Sequence, residues 1–160
     1  MSATPGAETA WLERVVALAV ANVAEGGGPF GAIIVRDGTE ISSGQNRVTR
    51  DLDPTAHAEV VAIRAACTAL GDFSLAGCTL YTSCEPCPLC LSSALWARLD
   101  RVVYVADRAD AARGGFDDQV FYDLFERPRS EWALRVESQR TPRAAVPFDT
   151  WLAQEGRTAY

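Results

Sequence analysis

From Thr9 to Glu25, Leu12, Val15, Val16, Ala19, Val20 and Val23 recur at three- and four-residue spacing, which places them on one face of a helix. Gly26, Gly27 and Gly28 end it. Phe30 to Val35 is a short apolar, β-branched run, Asp37-Gly38 is a turn, and Glu40 to Gln45 returns, so the pattern predicts a hairpin. After a loop at Asp51 to Pro54, Asp53 or Thr55 is placed to cap a second helix that runs to about Leu70, with Gly71 beyond its end. Cys78 to Ser83 reads as a strand, Pro86 to Arg98 as a helix with proline near its start, and Arg101 to Ala106 as another strand. Beyond that the periodicity weakens. A short helix is expected at Gln119 to Phe125 and another at Phe148 to Gln154, with one strand at Trp132 to Val136 in a polar, proline-interrupted stretch. Strands separated by single helices favour parallel pairing through right-handed crossovers, and the leading hairpin makes the sheet mixed. The expectation is an α/β fold, a three-layer α/β/α sandwich around a central mixed sheet. There is no repeat, low-complexity tract or linker, so residues 1–160 read as one domain.

Length and composition agree with that picture. The chain has 160 residues, 48% hydrophobic and 22% charged, which suits one globular core. No apolar run approaches the ~20 residues of a membrane helix. Met1 to Glu8 lacks the basic start and apolar stretch of an export signal. The net charge of −6 weighs against a partner bound through nucleic-acid phosphates. All 15 positive residues are arginine, which reads as a compositional bias. The 5 cysteines are an odd number, and Cys84, Cys87 and Cys90 crowd together. Reduced thiols in the cytoplasm, clustered for a metal, fit better than a disulfide framework.

The chemistry concentrates in His57-Ala58-Glu59 and Pro86-Cys87-Pro88-Leu89-Cys90. A Cys-x-x-Cys places two thiolates on one side of a helical turn, within reach of one ion. His57, the only histidine, would make a third ligand to zinc. Three protein ligands leave the fourth tetrahedral position to water, and zinc can lower the pKa of that water to about 7. Both ligand groups fall at predicted helix starts, where free N–H groups and the helix dipole favour thiolates. Glu59 is a candidate proton shuttle. Positions i and i+2 of a regular helix diverge, so His57 and Glu59 can share a site only if the chain bends between them. Spacing also admits a closed site with Cys84 as fourth ligand, and a redox Cys-x-x-Cys; the first leaves Glu59 unused and the second leaves out His57.

His-x-Glu followed by Pro-Cys-x-x-Cys is similar to the general signature of the zinc-dependent deaminases, in which the glutamate is not a ligand. The resemblance extends over nearly the whole chain. It runs through Gly28-Pro29-Phe30-Gly31-Ala32, Gly44-Gln45-Asn46, Asp53 to Glu59, Leu80 to Pro88 and Trp96-Ala97-Arg98. With Gly115-Phe116-Asp117-Asp118 and the terminal Tyr160, the chain resembles the guanine-deaminase branch of the cytidine deaminase superfamily. The first three stretches are shared with cytosine and tRNA-adenosine deaminases; the last two point to guanine.

The resemblance implies a cytidine-deaminase-like fold, one zinc per subunit on His57, Cys87 and Cys90, and Glu59 as the catalytic acid and base. It implies that Asn46 hydrogen-bonds the purine ring, Asp118 accepts from the guanine N–H edge, Ala58 adds a contact, and Phe30 and Trp96 wall the pocket. It implies a homodimer in which the segment from about 127 to 160 crosses over and Tyr160 closes the neighbour's pocket. The expected reaction is hydrolysis of guanine, a small-molecule nucleobase, to xanthine and ammonia. Alternatives are guanosine, cytosine or an amino-triazine such as ammeline, a tRNA adenosine, or a non-catalytic zinc module. Each substrate residue also has a plainer role: Asn46 as a turn residue, Asp117 and Asp118 as helix caps, Phe30 and Trp96 as core.

Overall fold

Along Gly31–Arg36 (β1) successive side chains leave for opposite faces, and both faces are covered. Ala32 and Ile34 pack with Leu80 and with Ala58, Ala62 and Ala66. Ile33 and Val35 pack with Tyr81 and Val15. The first set meets the helix Ala58–Leu70 (α3), the second the helix Pro5–Ala24 (α1). A continuous apolar run is what a strand buried on both sides requires. The computed structural model describes residues 5–116 and 118–160.

The sheet has the order β2-β1-β3-β4, with β2 at Thr39–Gln45, β3 at Cys78–Cys84 and β4 at Arg101–Ala106. β1 pairs antiparallel with β2 and β3, and β3 pairs parallel with β4. The three-layer α/β/α sandwich with a mixed sheet is therefore as expected. Parallel pairing holds where Pro88–Trp96 (α4) joins β3 to β4. β2 and β3, joined through α3, also point the same way, but β1 lies between them because its hairpin partner already occupies its other edge. Asp37 and Gly38 both have positive φ, 50° and 73°, the geometry that turns a two-residue hairpin.

The start of α3 is seated on β2 at Gly44. A Cβ there would stand 2.2 Å from the Ala58 carbonyl oxygen, so only glycine lets the helix approach this closely. Gly71 ends α3 in the left-handed conformation, as expected.

Several local expectations need correction. The buried face of α1 is formed by Val15, Ala19 and Asn22, whereas Val20 and Val23 are exposed, so the helix is rotated from the simplest apolar stripe. Neither Asp53 nor Thr55 caps α3: its N-cap is His57, and the Asp53 carboxylate instead takes the Thr55 N–H and hydroxyl. α4 starts at Pro88 because Cys87 is its extended N-cap. Trp132 to Val136 forms no strand and pairs with none of the four in the sheet, and a 3-10 turn at Arg129–Glu131 precedes it. A four-residue helix at Val48–Asp51 (α2) and a helix at Arg108–Arg113 (α5) were not expected. The second carried a readable signal, Asp107 and Asp110 closing a capping box.

The chain divides into two units, residues 1–123 and Leu124–Tyr160. The helix Gln119–Phe125 (α6) falls at the division and matches its expected bounds. The second unit holds the 3-10 turn and the helix Val146–Ala153 (α7), and within it Phe125 packs edge-on to Trp132 and Trp151 to Tyr160. None of its described residues is buried. Among the described residues no helix is long and apolar enough to cross a membrane.

Candidate active site

His57 and Cys87 hold equivalent places. Each is the extended N-cap of a helix, α3 or α4, and neither side chain caps its own helix. The N-cap side chain normally accepts from the first turn. Here both side chains turn instead toward each other. The Cys87 and Cys90 sulfurs each lie 3.5 Å from His57 Nδ1 and 3.7 Å from one another. Cys90 reaches the same point from the first turn of α4, three residues on. Among the described residues this is the one group of His, Cys, Asp and Glu side chains gathered as a metal site would need.

The donor set fits zinc: two sulfurs and an imidazole nitrogen, within 4.8 Å of one another. Cys84 is not part of the group. Its thiol points to the Asp107 carbonyl oxygen, 3.7 Å away, and burial pushes it up to about 11. That removes the closed four-ligand cage, and all 5 cysteines are free. The thiol of Cys90 and the ring of His57 favour a thiolate at Cys87 and pull it well below the ordinary thiol range. The same contact with Cys87 raises His57.

Glu59 is the second residue of α3 and is 6% exposed. His57 lies outside the helix and Glu59 within it, which is the bend that lets an i, i+2 pair share one site. The Thr82 hydroxyl, from β3, donates to Glu59 Oε1 at 3.4 Å. Burial raises the Glu59 carboxyl above its ordinary range.

These groups open onto a cavity of about 460 Å³. Asn46, Asp118 and Phe30 line it together with His57, Glu59 and Cys87. Asn46 follows β2, and its Oδ1 accepts the Val48 N–H at 3.3 Å. Phe30 stands edge-on to Phe116, ring centres 4.9 Å apart, and both face the cavity. Asp118 immediately precedes α6; Asp117 lies outside the described residues.

Two expected residues are not among those lining this cavity. Trp96 ends α4, exposed, with the Arg98 guanidinium over its ring, and is not among the residues around this cavity. It lies six residues beyond Cys90, which carries it about 9 Å along the helix. The Ala58 methyl group is buried in the core between α3 and the sheet. Tyr160 lies in the second unit, against Trp151; its expected place is at the pocket of a second copy.

Sequence reasoning also missed residues. Glu85 lines the cavity, and its carboxylate accepts from the Arg108 guanidinium and backbone N–H. The Arg108 guanidinium holds the Glu85 carboxyl below its ordinary value. Arg108 also lies 4.0 Å from the Tyr122 ring centre, and the Tyr122 hydroxyl donates to the Pro86 carbonyl oxygen. Phe116 and Phe121 were visible as aromatics beside Asp118. Thr82 gave no signal, since a threonine in a strand is ordinary.

A family model, the cytidine and deoxycytidylate deaminase zinc-binding region, matches residues 7–106. The chain is 49% identical over 142 residues to the guanine deaminase of Bacillus subtilis strain 168, covering 88% of this chain and 91% of that protein. The crystal structure of a Bacillus subtilis guanine deaminase superposes with a TM-score of 0.92 at 46% identity, covering 95% and 98% of the two chains. A tRNA-specific adenosine deaminase of Agrobacterium fabrum is 48% identical over 111 residues, 69% of this chain and 70% of that one.

Proposed function

The chain belongs to the cytidine and deoxycytidylate deaminase family, and from that premise we propose that it is a zinc-dependent aminohydrolase converting guanine and water to xanthine and ammonia. The observation that carries this is the convergence on one cavity of a buried carboxyl, an imidazole–thiolate group and two polar side chains suited to a purine edge. The extent of the likeness favours guanine over tRNA: the guanine deaminase match covers 88% of this chain and 91% of that protein, against 69% and 70% for the tRNA-specific adenosine deaminase.

His57, Cys87 and Cys90 would hold the zinc, which supplies Lewis acidity and so a nucleophilic water at neutral pH. Asn46 donates to and accepts from the purine ring. Asp118, ionised and therefore acceptor-only, takes the N–H edge of guanine. Phe30 and Phe116 pack on the ring, placing C2 near Glu59. Glu59 takes a proton from the attacking water and delivers it to ring N3. Water oxygen bonds to C2, the C2–amine bond breaks, and Glu59 passes a proton to the leaving amine. A carboxyl raised by burial exchanges protons more readily near neutral pH than an ordinary one. The N-termini of α3 and α4 favour negative charge at this point.

We further infer a homodimer, with the segment from about 127 to 160 crossing to a second copy and Tyr160 closing that copy's pocket. The exposed apolar side chains of this segment, Phe148 and Leu152 among them, support it. The free thiols fit a cytoplasmic site of action.

The test is ammonia release by zinc-loaded protein from guanine, guanosine, cytosine, adenine and ammeline. Turnover of guanine that vanishes in Glu59→Gln, with zinc retained, is expected. Turnover of another base would keep the chemistry and discard the substrate. Zinc bound with no turnover of any would leave a non-catalytic zinc module.

A further inference from the structure

Asn22 lies in the last turn of α1 and is fully buried, at a position an apolar stripe would give to valine or leucine. Burying a carboxamide is costly unless its donors and acceptor are met. Here all are. Nδ2 donates to the Gly28 and Asn46 carbonyl oxygens at 2.8 Å each, and Oδ1 accepts from Arg50 Nη2 at 3.3 Å.

Gly28 and Asn46 line the cavity, while Asn22 does not. The contacts around it are tight. A Cβ at position 27 would stand 2.4 Å from Asn22 Nδ2, and one at position 28 would stand 3.2 Å from Asn46 Cγ. The Asn46 N–H donates to the Phe30 carbonyl oxygen at 3.1 Å, so the Asn22 amide fixes the other end of the same peptide unit pair. One buried amide thus ties the end of α1, the glycine loop and the segment after β2 to one another.

We propose that Asn22 is a positioning residue for base recognition, holding Asn46 where its side chain meets the purine without touching the substrate itself. This rests on the proposed role of Asn46. A carboxamide suits the task because it presents two donors and an acceptor in one plane. Asn22→Asp keeps the size and the Arg50 contact but faces both carbonyl oxygens with an acceptor.

The experiment is a double-mutant cycle on kcat and KM for guanine in zinc-loaded protein, with zinc content and Tm measured alongside. The variants are Asn22→Asp, Asn46→Ala and the pair. Asn22→Asp is expected to lower kcat/KM about tenfold, mainly through KM, with zinc retained. On the Asn46→Ala background it should cost little more, because residues that act through one another are not additive. Arg50→Met, at the surface, provides a milder release of the same amide, with KM up about threefold and the same loss of effect on Asn46→Ala. Multiplying losses in the cycle would overturn the proposal, since Asn22 would then act on general stability. An unchanged KM in Asn46→Ala would overturn the role of Asn46 itself, and this inference with it.

Discussion

The two units of this chain use apolar residues in opposite ways. In residues 1–123, Ile33, Ile34, Leu80 and Tyr81 are at most 2% exposed, and each has a helix or strand to pack against. In Leu124–Tyr160, Leu134, Phe148, Leu152 and Tyr160 are each more than 60% exposed, and no residue is buried. Similar side chains therefore carry different information. In the first unit they specify a core. In the second they mark a surface that hydrophobicity alone does not hold in place. The same contrast applies to chemistry: every residue around the cavity comes from the first unit.

The contrast is sharpened most by Glu59→Gln. Turnover should fall by about 10²–10⁴-fold or more with fold and zinc unchanged, measured by ammonia release and metal analysis. Leu80→Ala should destabilise by about 2–5 kcal/mol in denaturant titration, because it opens a cavity between β3 and α3. Tyr160→Ala should cost about tenfold in kcat/KM if it closes a neighbour's pocket, the worth of one aromatic packing contact. Leu134→Ala should change stability by no more than about 0.5 kcal/mol. A larger, concentration-dependent cost would show that a second copy covers this residue, in keeping with the inferred homodimer, and would confine the contrast to the single chain.

The smallest effect concerns acid. The Arg108 guanidinium holds the Glu85 carboxyl below its ordinary value of 4.5. A carboxyl lowered in the folded state stabilises the fold above the unfolded value and loses that contribution as pH falls through the lower, folded one. The Tm of the wild type should therefore drop more steeply below about pH 4.5 than that of Arg108→Met.

The fold of the first unit was readable because its elements are bounded by strong local signals. Asp37-Gly38 turns the hairpin, Gly71 ends α3, and β4 has its expected bounds. The rotation of α1 was not readable. It turns on Asn22, whose burial is met by carbonyl oxygens from residues 28 and 46, both outside its own helix. The strand expected at Trp132 failed for a related reason: a strand is stable only beside another, and composition does not reveal whether one is there.

In the site, the group of His57, Cys87 and Cys90 was legible because a metal site restricts which residues serve and at what spacing. Glu59 was legible as a candidate, but its access depended on where α3 begins. Trp96 was misplaced because a motif fixes sequence distance and not helix direction. Glu85 lay in plain view within Cys84-Glu85-Pro86-Cys87, yet its Arg108 partner is brought to it only by the parallel pairing of β3 and β4, whose ends the two residues follow.

By itself the sequence determined the four strands of the sheet, the hairpin turn and the residue types of the candidate metal group, since these depend on local geometry and intrinsic chemistry. Only the tertiary structure decided which polar groups meet. It put His57 outside its helix and Glu59 inside it, gave Thr82 to Glu59, and joined Asn22 to Asn46. Those pairings depend on how separate elements pack, and burial makes each of them consequential because an unmet polar group there has no water to turn to.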